Sequence, residues 1–215
     1  MDKEPNSFVD YAVAGDFIKK YDYAVKQPIK WKFKRALDVG GALVGLFILS
    51  PVLLASGIAI RKQTNGPIIF KQTRIGLKGK TFTMYKLRTM YDNCGVDAVK
   101  SDKDERITPV GKILRKYSID EMPQLLNVLK GDMSLVGPRP IRPRIFKEIQ
   151  SKNPEFQLRF AVKPGLRLNI GRTNEGIFNK DIPAIEREYI ENWSLEKDLF
   201  ILLSIIKDTI KGKNY

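Results

Sequence analysis

The longest apolar run in the chain is Ala36 to Ile60, about 25 residues in which Asp38 is the only charge. That exceeds the length of about 18 apolar residues expected of a membrane segment. A buried core helix is the alternative. Against it stand the basic flank Lys26 to Arg35, which carries Trp31, and the pair Arg61-Lys62 that follows. No other segment is apolar enough to cover such a helix. Ser50-Pro51 lies near its middle. An internal proline removes one helical hydrogen bond and kinks the helix, and a serine hydroxyl can re-satisfy the freed carbonyl. Because lysine and arginine favour the cytoplasmic side, a spanning helix would leave one basic cluster on the wrong side. Two arms of about 12 to 15 residues, each roughly 18 to 22 Å long, reach about mid-bilayer. The pattern therefore predicts a re-entrant helical hairpin, broken at Ser50-Pro51, that enters and leaves on one face.

Elsewhere the periods are short. After the turn signal Asn65-Gly66-Pro67, IIFKQTRIG and KTFTMYKL read as two strands joined around Gly76 to Gly79, a β-hairpin. Tyr91 to Lys103 is polar and reads as a mobile loop. Ile113, Leu114 and Tyr117 suggest a short amphipathic helix, and Leu125, Leu126, Val128 and Leu129 another, with Gly131 placed as an αL cap. IRPRIFKEIQ carries Arg142 and Arg144 into a further helix. The C-terminal stretch gives two amphipathic helices joined at Asn192-Trp193-Ser194. Leu199 to Ile206 is too short to span, and either packs in the core or lies in a membrane interface. The first 25 residues show poor periodicity despite Phe8, Tyr11, Phe17, Tyr21 and Tyr23, and their opening is no signal peptide. The expected fold class is α/β, mostly helical with a small β-hairpin, in a monotopic membrane protein. Residues 1–25 form an arm of unknown role, 26–62 the basic flanks and membrane helix, and 63–215 a cytosolic domain.

Charge narrows the partners. The formal net charge of +14 over 215 residues calls for polyanions: nucleic acid, anionic lipid headgroups or phosphorylated substrates. The chain has one cysteine, Cys94, and no histidine. This excludes a disulfide framework, the usual zinc spacings and the Ser-His-Asp and Cys-His mechanisms. Carboxylates, lysines and hydroxyls are left to carry any chemistry. Lys71, Arg74, Lys78, Lys80, Lys86 and Arg88 give the hairpin a basic face, which reads as solvated or membrane-facing.

The stretch with most chemistry is Ser118 to Pro140, SIDEMPQLLNVLKGDMSLVGPRP. It opens with adjacent carboxylates, Asp120 and Glu121, and ends on Pro138-Arg139-Pro140. Ser118 with Glu121 has capping-box spacing, but that places Pro123 where it would delete an intrahelical bond. With Asp120 as N-cap, Pro123 falls where no helical N–H is needed, which fits better. Either way the carboxylates sit at the positive end of the helix dipole, and helical neighbours point roughly 100° apart, so they suit different roles. From these residues alone, capping and catalysis stay equally open.

DEMPQLLNVLKGDMSLVGPRP resembles the signature of the bacterial polyprenol-phosphate phosphoglycosyl transferases, the monotopic initiating sugar transferases. The resemblance runs through GPIIFKQTRIGLKGKTFTMYKLRTM (Gly66 to Met90) and DERITPVGKILRKYSIDE (Asp104 to Glu121), and covers roughly Lys34 to Ile206. It implies a re-entrant membrane hairpin broken at a Ser-Pro pair, here Ser50 and Pro51. It further implies that Asp120 is the catalytic nucleophile and that Mg2+ is required; Asp120 and Glu121 are the metal-binding candidates, with Glu121 either a magnesium ligand or a catalytic orienting group. Lys86 and Arg88, on the family's K-x-R-T-M phrase, become phosphate contacts; so do Arg115 and the Pro138-Arg139-Pro140 loop. Arg106 lies on the D-x-R-I-T phrase, with a structural role as the alternative. One departure stands out. Where the family reads K-P-G-I/L-T-G-L-A-Q-V-x-G-R, this chain has KPGLRLNIGR, Lys163 to Arg172, about three residues shorter and without the glutamine. That loop carries the family's nucleotide-sugar contacts.

Two function classes follow. In the first, the resemblance implies transfer of a sugar 1-phosphate from a UDP-sugar to polyprenol phosphate at the cytoplasmic face of the bacterial inner membrane. UMP is released, a phosphosugar-aspartyl intermediate forms, and the product starts glycan assembly. In the second, the chain is a non-catalytic, basic, membrane-attached protein that binds lipid or nucleic acid. Nucleic-acid-binding motifs are absent, so nucleic acid is not expected as a partner. Anionic membrane lipids are, and a homo-oligomer is left open.

Overall fold

One helix sets the frame. In the computed structural model, which describes residues 8–92, 104–168 and 182–210, Pro28–Gln63 is one 36-residue helix with Pro51 inside it. Pro51 has no N–H to give to the carbonyl of Phe47, four residues back. The Ser50 hydroxyl donates to that carbonyl instead, at 2.8 Å, as the Ser-Pro pairing predicts.

In chain order the elements are α1 (Tyr11–Lys20), α2 (Tyr23–Lys26), α3 (Pro28–Gln63), β1 (Ile69–Ile75), β2 (Thr81–Leu87), α4 (Pro109–Lys116) and α5 (Gln124–Lys130). They continue with β3 (Ser134–Val136), α6 (Pro143–Gln150), β4 (Gly165–Arg167), α7 (Ile182–Glu191) and α8 (Leu195–Ile210). Single 3₁₀ segments cover Leu77–Gly79, Ile119–Glu121 and Pro154–Ala161. The chain is thus mostly helical with little sheet. β1 and β2 form the expected antiparallel hairpin, in register from Ile69 opposite Leu87 to Ile75 opposite Thr81. A short parallel pair, β3 with β4, was not anticipated.

Helix α3 docks on the domain at both ends. Near its start, Arg35 donates to the carbonyls of Val128 (2.6 Å) and Leu129 (2.8 Å) at the end of α5. Asp38, the charge inside the apolar run, is buried and accepts from the Ser134 hydroxyl and the Leu135 amide, both at 2.9 Å. A Cβ on Gly41 would lie 2.7 Å from the tip of the Leu135 side chain, which would have to shift to admit it. Near its other end Ile60 packs with Leu87 and Leu114, and Gln63 accepts from the Val110 amide at 3.2 Å. Between these anchors Phe47 (81% exposed) and Ile48 (64%) lie open, with Leu43, Val44 and Leu54. Its apolar window has mean hydropathy 2.4 and is only 17% buried, unlike a core helix.

The core lies on the far side of α5 and β3. Phe146, Phe156, Val128, Val136 and Met133 are fully enclosed. Residues 8–26 form part of its wall: Ala14 and Ile18 are buried, and Phe8 meets Phe146 edge-on at 6.4 Å. Asp198 ties three helices together, accepting from Lys34 (2.5 Å), Tyr189 (2.8 Å) and Trp193 (3.0 Å). The alternatives for α8 are not exclusive. Ile201 is buried on one face, while Phe200 (71% exposed) and Leu203 (68%) are open on the other.

Candidate active site

Asp120 is not a helix N-cap. Ser118 adopts αL geometry (φ 53°) without a capping bond, and the two carboxylates occupy their own 3₁₀ turn, Ile119–Glu121. α5 begins after it, with Pro123 in the N-cap position at φ −60°. The reason is local. Proline's fixed φ suits the first helical turn, and its missing N–H costs nothing there. The chain therefore completes a tight turn before Pro123 rather than capping through it. Gly131 closes the helix at φ 90° as expected, and the Asp132 amide reaches back to the Asn127 carbonyl at 3.0 Å.

The turn separates the two carboxylates. Glu121 is gripped from two sides: Lys86 on β2 reaches Oε1 at 2.8 Å, and Arg139 forks onto both oxygens, with Nη1 to Oε2 at 2.9 Å. Burial acts to raise its pKa, but Arg139 and Lys86 prevail and hold it well below the usual carboxylate range. Asp120 is the opposite case. It is buried, and its Oδ1 has no hydrogen-bond partner. Burial, followed by the Glu121 charge, pushes the carboxyl up to about 6, against Lys86, Arg115 and Arg139. Two neighbours in sequence thus have opposed electrostatics, the pattern that separates a reactive group from an orienting one.

Other predicted residues sort by position. Arg115 donates to the Thr89 hydroxyl at 2.9 Å and acts on Asp120 through its charge. Arg88 is turned away: its Nε donates to the Pro67 carbonyl at 2.9 Å, and Nη1 pairs with Asp92. Arg106 forks locally onto Asp104. Of the shortened loop Lys163 to Arg172, residues 169–172 lie outside the described residues, as do 93–103 of the polar loop.

The Pro138-Arg139-Pro140 loop is held by every carbonyl. Pro138 accepts from the Gly165 amide (2.9 Å), Arg139 from Arg159 Nη2 (2.6 Å) and Pro140 from Arg74 Nη1 (3.0 Å). A Cβ on Gly165 would lie 2.1 Å from the Gly137 nitrogen, so only glycine permits the first of these contacts. Arg159 is buried, and its Nη2 also pairs with buried Glu186 at 2.9 Å. Burial pushes Glu186 up to about 6, opposed by Arg159. Arg74 and Arg159 are site residues that sequence reasoning missed. Strand alternation offered a signal for Arg74. In the register of β1 with β2 it shares a face with Lys86 and buried Met84, whereas Lys71 is on the other. No comparable signal marks Arg159.

A magnesium ion requires oxygen donors. Among the described residues no group of three or more acidic, histidine or cysteine side chains could hold a metal unaided. Magnesium commonly takes one or two carboxylates and completes its shell with substrate phosphates and water. The unpartnered Asp120 Oδ1 fits that need; both Glu121 oxygens are engaged by cations.

The family of bacterial sugar transferases matches residues 29–212. A UDP-glucose:undecaprenyl-phosphate glucose-1-phosphate transferase of Caulobacter vibrioides is 40% identical over 190 residues, 84% of this chain and 71% of the relative. A UDP-N-acetylgalactosamine-undecaprenyl-phosphate N-acetylgalactosaminephosphotransferase of Aeromonas hydrophila is 35% identical over 191 residues, 86% of this chain but 45% of its own length. An Escherichia coli UDP-glucose:undecaprenyl-phosphate glucose-1-phosphate transferase is 36% identical, with 41% of its length covered. The chain therefore spans less than half of these last two. With the family match reaching across most of its length, it belongs to the bacterial sugar transferases, the enzymes known as polyprenol-phosphate phosphoglycosyl transferases.

Proposed function

We propose that the chain transfers a sugar 1-phosphate from a UDP-sugar to polyprenol phosphate, and that Asp120 is the nucleophile. The observation that carries this is the unpartnered, buried Oδ1 of Asp120 beside a Glu121 saturated by Lys86 and Arg139. The names of the relatives supply the donor and acceptor classes. A carboxylate oxygen of Asp120 attacks the phosphorus next to the sugar. The bond from that phosphorus to the UMP oxygen breaks, UMP leaves with the electron pair, and an acyl phosphate bearing the sugar remains on Asp120. An oxygen of the acceptor phosphate then attacks the same phosphorus. The aspartyl–phosphorus bond breaks, giving the lipid-linked sugar diphosphate and restoring the carboxylate. Asp120 Oδ1 and donor phosphate oxygens would hold magnesium, which when bound neutralises phosphate charge. Arg139 and Arg115 bring fixed positive charge to the same place, and Glu121 orients Arg139 and Lys86. Incubation with radiolabelled UDP-sugars and polyprenol phosphate tests the reading. Lipid-extractable label is expected with at least one sugar; none with any UDP-sugar would sink it.

Arg139 places the guanidinium fork. Arg139→Lys keeps the charge but loses the bidentate geometry. Transfer is expected to fall about tenfold or more, on the order of 1.4 kcal/mol. An unchanged rate would make the arginine structural.

The membrane reading extends the same proposal. Both ends of α3 are anchored on one domain, while its middle is apolar and exposed, and this supports a hairpin that dips into the bilayer from the cytoplasmic face. Cysteines placed at Lys26 and at Lys62 should both resist impermeant reagents in intact cells and react after lysis. Labelling of either from outside would refute the re-entrant arrangement.

A further inference from the structure

An apolar groove of about 540 Å³ opens along the second half of α3. Leu53, Leu54 and Ile58 form one wall, and Leu87, Pro123 and Leu126 the facing one. The volume falls within the range of about 300–1,000 Å³ usual for ligand sites. Its lining offers no acidic side chain, and its charges are those of Arg61 and Lys62 alone. A water-soluble sugar nucleotide would leave its polar groups unpaired there, at a cost of about 1–3 kcal/mol each. The groove suits a hydrocarbon chain with an anionic head.

Its position favours one such chain. Pro123, on one wall, is three residues from Asp120 and opens α5, the helix that follows the acidic turn. One wall is therefore built in part by the chain that leaves that turn. The other is the part of α3 whose flank is open to a surrounding bilayer, Leu54 being 69% exposed. We infer that this groove holds the isoprenoid chain of the acceptor next to its phosphate, so that the phosphate is delivered to Asp120 from the membrane side. The inference rests on the proposed transferase reading and adds where the acceptor lies.

In the two-step scheme the acceptor enters only the second step, so filling the groove should spare the first. Leu126→Trp and Leu54→Trp, on opposite walls, are each expected to raise the acceptor KM about tenfold. UMP release in a single turnover without acceptor should stay at the wild-type level. A wild-type acceptor KM in both variants overturns the inference, and so does an equal loss of both steps. A second measurement needs no variant. A benzophenone-bearing prenyl phosphate, irradiated with the wild-type chain in nanodiscs, should label peptides containing Leu54 or Leu126. Polyprenol phosphate should compete, and added phosphatidylglycerol should not. Label elsewhere, or competition by phosphatidylglycerol, assigns the groove to bilayer lipid and overturns the inference. Labelling requires no turnover, so groove labelling in a chain that transfers nothing would fault the transferase reading and leave the groove standing.

Discussion

Asp120→Asn is expected to abolish sugar-phosphate transfer, a fall of about 10³-fold or more, or roughly 4 kcal/mol. The fold should survive. Burial and the Glu121 charge make the ionised Asp120 costly, which is why its pKa is raised to about 6. A neutral amide removes that cost, so the variant should melt no lower than wild type. It cannot attack phosphorus, because an amide is neither anionic nor a competent nucleophile. Glu121→Gln should behave differently. Lys86 and Arg139 would lose their counter-charge, so the rate should drop and stability with it, while Asp120, the proposed nucleophile, stays in place. The decisive reading is intact-protein mass after rapid quenching with UDP-sugar alone. Wild type and Glu121→Gln should gain a sugar-phosphate mass, and Asp120→Asn should not. A wild-type enzyme that turns over yet never shows the adduct would instead transfer directly within a ternary complex.

What the sequence revealed about this fold was mostly local. The hairpin follows from two alternating runs around a glycine-rich turn, and the α5 stop from Gly131. The Ser50-Pro51 compensation is a matter of four residues. The acidic pair and Pro138-Arg139-Pro140 were visible as a motif, and the structure brings Glu121 and Arg139 into contact over 18 positions. What stayed hidden depends on distant partners. The β3–β4 pair forms because Gly137 and Gly165 let two backbones meet, and neither stretch has a strand period of its own. Ala14 and Ile18 lie in a segment of poor periodicity, and become core only because the 3₁₀ segment Pro154–Ala161 receives them. Asp120 as N-cap failed on a finer point: the preference for a capping aspartate lost to a proline that begins the helix one turn later.

Arg159 is expected to separate stability from activity. It is buried, and one nitrogen serves both the Glu186 carboxylate (2.9 Å) and the Arg139 carbonyl (2.6 Å). Removing one member of a buried ion pair strands its partner, at a cost of about 3–5 kcal/mol. In a chain of this size each kcal/mol lowers the melting point by about 2–4 °C, so Arg159→Met should melt roughly 6–20 °C lower. Removing both charges can be near neutral, because well-packed apolar residues replace a buried pair without leaving a lone charge. Arg159→Met combined with Glu186→Met should therefore recover most of the lost melting point. It should not recover transfer. The Arg139 carbonyl would still lack the Arg159 donor, leaving the bonds to the Pro138 and Pro140 carbonyls to fix the loop backbone. On the proposed role of Arg139 as a phosphate contact, it would meet the donor in a looser geometry, and positional loss of this kind costs about tenfold or more. Melting curves and transfer rates on the single and double variants make the test. A double variant that regains both would reduce Arg159 to a core ion pair, and one that regains stability alone makes it the residue that aims Arg139.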